Sequence, residues 1–104
     1  MDYQLVLQFP TQSEDDASRL LTFEDDLIET LKDAAEVEGH EAGEHEMNFF
    51  ITTNDAEETF DQLRPLLEEK GLLATATAAS RHVDDDDYIV IWPEDAREKK
   101  LLIA

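Results

Sequence analysis

The chain has no cysteine, which excludes disulfides, thiolate nucleophiles and cysteine-ligated zinc or iron–sulfur centres together. A reducing compartment fits that absence. Glycine occurs only three times, too rarely for the clustered glycines of a phosphate-cradling loop. Ser13, Ser18 and Ser80 have no glycine elbow of the kind that presents a nucleophilic serine. The run Asp84–Asp87 lacks the spaced acids and central glycine of a calcium loop and reads as a polar turn. The first residues, MDYQLVLQFPTQSEDD, carry no basic segment and only a short alternating apolar run. They resemble neither a signal peptide nor a membrane span, and a cytoplasmic location is the default expectation.

Positive charge is the other scarcity. Eight Lys and Arg face 27 Asp and Glu, for a net charge of −19. The imbalance is distributed: two cations against 14 acids over residues 1–52, six against 13 over residues 53–104. Such a surface repels phosphate backbones and anionic membranes, so neither nucleic acid nor membrane is an expected partner, whereas a basic protein is attracted. The same charge also serves solubility or adaptation to a salty cytoplasm.

What remains is enough for a core. Apolar residues make up 41% of 104 residues, fall in periodic runs, and suit one domain spanning residues 1–104. DYQLVLQF alternates, with Tyr3, Leu5, Leu7 and Phe9 on one face and Gln4, Val6 and Gln8 on the other, and Pro10 closes a strand. A helix is expected from about 15–20 to 34, with Leu20, Leu27 and Leu31 as its stripe and Leu21, Ile28 and Ala35 beside it. MNFFIT is a second strand-like run, reached from Val37 through a turn bracketed by Gly39 and Gly43.

A second helix begins at an Asn54 or Asp55 cap, with Glu57 or Glu58 completing a capping box, and stops at Gly71. Pro65 inside it predicts a kink or a shortened helix. LLATATAASRHV reads as a strand at a sheet edge, and YIVIWP as a strong strand with Tyr88, Val90 and Trp92 facing one way. EDAREKKLLIA is left as a short last strand or a fraying end. The order gives an α+β domain, the split β-α-β-β-α-β arrangement of ferredoxin-like proteins with one added C-terminal strand. Two helices then cover one face of an antiparallel sheet.

EVEGHEAGEHEMNFFIT poses the one metal question. His40, His45 and Glu46 are candidate ligands, since a site needs three or four such groups converging. If Val37 shares the buried face with Met47 and Phe49, odd residues pair with odd ones across the hairpin, and His40 and His45 face opposite ways. A bulge at either glycine reopens the possibility. The sequence otherwise implies no cofactor.

The positive feature is the uncovered sheet face. Val6, Asn48, Phe50 and Trp92 are the candidate partner-binding residues, apolar side chains among polar ones on a monomer or homodimer; dimerisation or the C-terminal segment are the alternative covers.

Gly39, His40, Gly43, Glu46, Met47, Asn48 and Phe50, with Asp87, Tyr88, Val90, Trp92 and Pro93, carry a resemblance to a group of small acidic bacterial proteins without assigned activity. These share a glycine-bracketed acidic turn before Glu-Met-Asn-aromatic and a late Asp-Tyr-x-Val-x-Trp-Pro strand. The resemblance implies no reaction. By size and charge alone the chain is similar to immunity proteins that neutralise basic toxins. A non-enzymatic interaction module is therefore the first expectation, and a small metal-dependent enzyme or regulator using the His40–His45 hairpin the second.

Overall fold

The computed structural model describes residues 2–101. Eight residues of alternating pattern become β1 (Tyr3–Pro10), and Ser13 caps the next element by accepting a hydrogen bond from the Asp16 amide. Three acids in the first turn of α1 (Glu14–Leu31) complement the helix dipole. β2 (Glu36–Ala42) and β3 (Glu46–Thr53) follow, then α2 (Ala56–Glu69). β4 (Thr77–His82), β5 (Tyr88–Trp92), a 3₁₀ turn (Glu94–Ala96) and β6 (Lys100–Leu101) complete the described residues.

The domain is α+β, with two helices and one six-stranded antiparallel sheet in the order β2-β3-β1-β4-β5-β6. Two strands lie beyond β4 among the described residues, the second of them the short strand that EDAREKKLLIA left open. β4 itself is interior, between β1 and β5, and not at an edge. Its Ala78 and Ala79 are fully buried on opposite faces, so a central strand reads as a run of small residues without a strong period of two.

Both helices pack on the face carrying Leu5, Leu7 and Phe9 of β1 and Met47, Phe49 and Ile51 of β3. The buried stripe of α1 is Leu20, Phe23, Leu27 and Leu31. Leu21 and Ile28, expected beside it, are 44% and 51% exposed, because each lies about 100° around the helix from the residue before it. Phe9, Phe23 and Phe49 meet edge to face with centroids 5.8–6.1 Å apart, the geometry favoured by ring quadrupoles.

α2 runs through Pro65 to Glu69, so the proline does not shorten it. Its cap is Asp55, which accepts from the Glu58 amide. The Asp55 amide donates to the Thr53 hydroxyl, which takes the place of the capping-box glutamate. Thr53 also bonds the Thr59 hydroxyl at 2.6 Å, leaving this buried polar pair satisfied. Gly71 follows the helix at φ +70°, the left-handed position that ends it.

Candidate functional site

The sheet face away from the helices divides into two halves of different character. On the β1-β4-β5 half, Val6, Ala79 and Val90 form a second small core, with Tyr88, Ala96, Leu101 and, from β3, Phe50 packed against it. The C-terminal segment is held there by backbone bonds from the Val90 amide to the Lys99 carbonyl and from the Glu98 amide to the Val90 carbonyl. Val6 is consequently 0% exposed. Arg81 fixes the rim: its guanidinium donates to Gln4 Oε1 at 2.9 and 3.1 Å and to the Asp85 carbonyl at 2.7 Å. It also lies 5.3 Å from the Tyr88 ring centroid, while the Tyr88 hydroxyl donates to the same Gln4 oxygen.

The β2-β3 half is different. Phe50 is half-buried, with Val6 across from it on β1 and Gly39 across from it on β2. Gly39 offers no side chain, and a Cβ built there meets nothing within 4 Å, so one flank of the Phe50 ring has no covering side chain from β2. Residues directly opposite in an antiparallel pair share a face. Glu36 opposite Thr52 and Glu41 opposite Asn48 therefore lie on this face. Glu38 reaches it too, accepting from the Thr52 hydroxyl at 2.9 Å, and Glu46 on β3 shares the parity of Asn48 and Phe50. No Lys or Arg occurs in either strand. Asn48 is only 4% exposed and accepts from Gln8 Nε2 at 3.1 Å, so it braces this platform from below.

The four residues expected to form one surface are therefore dispersed. Phe50 is accessible, Asn48 is nearly buried beside it, Val6 is covered, and Trp92 is on the other face. There Trp92 packs against Phe60 at 5.8 Å between centroids, donates from Nε1 to the Leu73 carbonyl at 3.2 Å, and carries the Arg64 guanidinium 4.7 Å above its ring. Glu36, Glu38 and Glu41 were not singled out as partner residues. The signal that could have found them is the glycine within their run, which leaves the aromatic opposite it uncovered.

The hairpin register explains the histidines. Val37 pairs with Ile51, odd with odd as expected, but the register shifts between Val37 and Gly39. His40 then falls opposite Phe49 on the helix-facing side, with its Nδ1 2.9 Å from Glu24 Oε2 of α1. His45 is in the exposed turn before β3. The odd-with-odd pairing thus stops at Val37, and a one-residue bulge, left open at either glycine, turns His40 toward the helices without bringing it to His45. Among the described residues no three His, Cys, Asp or Glu side chains converge as metal ligands.

A groove of about 520 Å³ lies between α1 and the α2-β4 loop, floored by Phe9, Leu20, Phe23 and Leu72. Its rim charges balance, Arg19 and Lys70 against Asp16 and Asp26, and Lys70 is 3.3 Å from Asp26. At the far end of α2, Glu57 hydrogen-bonds Arg97 and raises its guanidinium pKa above the ordinary value. That clasp, with Arg97 also donating to the Ile91 carbonyl, ties the C-terminal segment to the helix layer. No described helix is long and apolar enough to cross a membrane.

Compared with known protein families, curated proteins and solved structures, the chain matches none.

Proposed function

We propose that this chain is a small non-enzymatic interaction module on a ferredoxin-like core. It docks a basic protein on the β2-β3 half of the helix-free sheet face, in the manner that immunity proteins meet basic toxins. The carrying observation is the half-buried Phe50, flanked by Gly39 and set among Glu36, Glu38, Glu41 and Glu46. A Lys or Arg laid on that ring gains a cation–π contact worth about 0.5–2 kcal/mol. The carboxylates around it add charge complementarity, which acts mainly on association rate and specificity. The finer fold reading is supported by the first four strands, whose order β2-β3-β1-β4 interleaves two β-α-β units.

The test separates a site from bulk charge. A basic protein retained by the immobilised chain at low salt is titrated against wild type, Phe50→Ala, Glu36→Gln/Glu41→Gln, and Glu68→Gln/Glu69→Gln on α2. The Phe50 variant and the β2 pair should each weaken binding by about tenfold, and the α2 pair by less than about twofold. Equal losses from the two glutamine pairs would reduce the effect to net charge and sink the proposal.

A further inference from the structure

The sheet ends very differently on its two sides. At one edge β6 comprises, among the described residues, Lys100 and Leu101, and Lys100 lies 3.2 Å from Asp87. At the other, β2 runs for seven residues, Glu36–Ala42, and is paired only on its β3 side among the described residues. An edge strand directs about half of its backbone N–H and C=O groups away from the sheet, where they can template another strand. Five of the seven β2 residues are exposed, and only Val37 and Gly39 are intermediate.

Two features decide what can add there. A second copy of this chain, joined β2 to β2, would set Glu36, Glu38 and Glu41 against the same residues of its neighbour, and like charges across a strand pair are unfavourable. The same glutamates favour a strand whose side chains on that face are cationic. The opposite side of β2 shows Val37, packed against the core, His40, bonded to Glu24 of α1, and Ala42, and it suits small or apolar side chains beside Val37 and Ala42.

We infer that β2 is a strand-addition edge for an extended, amphipathic cationic segment of a protein partner, with Lys or Arg at alternate positions beside Glu36, Glu38 and Glu41. This rests on the reading of the β2-β3 face as the docking site and narrows it from a basic surface to a basic strand. Main-chain hydrogen bonds supply affinity in such additions, and alternate side chains supply specificity. One cationic side chain of the added strand, at the level of Gly39, reaches over the glycine toward Phe50.

The experiment uses the whole chain and four synthetic peptides of the same residues: alternating Lys-Val, the block order, and two forms of the alternating peptide with the backbone N-methylated at every second residue. Each parity of methylation is made. Binding is followed by amide NMR shifts and hydrogen exchange at low salt. The alternating peptide should bind at least about tenfold tighter than the block peptide and protect β2 amides. One parity of N-methylation should abolish that protection while the other leaves it. If alternating and block peptides bind alike and shift Phe50 and Gln8 but leave β2 exchange unchanged, the strand inference is overturned and the docking face stands. If neither peptide perturbs the β2-β3 half, both readings fall.

Discussion

Raising salt should stabilise this protein, and the size of the effect follows from its charge and dimensions. A net charge of −19 sits on a chain with a radius of gyration of 12.6 Å. Smeared over an equivalent sphere of about 16 Å radius, that charge carries roughly 17 kcal/mol of self-repulsion at 0.1 M salt and roughly 7 kcal/mol at 1 M. An unfolded chain of this length, with a radius of gyration near 30 Å, carries only about 4 and 1 kcal/mol. The folded state therefore gains about 7 kcal/mol relative to the unfolded one, and compactness of the denatured ensemble trims this to about 3–7 kcal/mol.

Screening also weakens attractive pairs. Those between Lys or Arg and carboxylates among the described residues are Lys70–Asp26, Arg97–Glu57 and Lys100–Asp87, each substantially exposed. Exposed pairs contribute little, so repulsion decides the sign. Thermal unfolding in KCl should show Tm rising by more than about 10 °C between 0.1 and 1 M. Most of the rise should come below about 0.5 M, where the Debye length shortens fastest. A Tm that is flat or falling over this range would refute the reasoning, and so would one climbing linearly to 3 M, which is the signature of salting-out.

Two substitutions test the architecture. Val6→Ala should cost about 1.5–2.5 kcal/mol in urea unfolding, because Val6 is fully covered by the C-terminal segment and its neighbours; a cost near zero would mean that this half of the sheet is open. Gly39→Ala should destabilise by about 1 kcal/mol or more although the space around it is empty, since its φ of +142° disfavours any Cβ. An unchanged unfolding midpoint would show that β2 has no bulge there.

The parts of this fold that are legible in the sequence are those where a single period runs unbroken. β1 and β3 alternate cleanly, and their observed pairing, Leu5 with Ile51 and Leu7 with Phe49, puts every expected core residue on the helix face. The two misplaced side chains, His40 and Trp92, share one cause. Each follows a register shift, between Val37 and Gly39 in β2 and between Val90 and Trp92, which pair with the adjacent Ala79 and Ala78 of β4. A count by twos carries parity past such a point unchanged, while the added residue reverses it for everything beyond.

Gly39 did announce the first shift, since a glycine within a strand marks a bulge as readily as a turn. The second has no such marker in YIVIW. Val6 shows a different limit: alternation assigned its face correctly, but a face is exposed or covered according to what returns across it. Here the cover is a segment fixed by backbone bonds to Val90 and by the Arg97–Glu57 clasp. The β2-β3 face owes its shape to the first of these shifts. Phe50 keeps the parity of its strand, and the bulge that turned His40 inward is the same feature that places a glycine, and no side chain, against the ring.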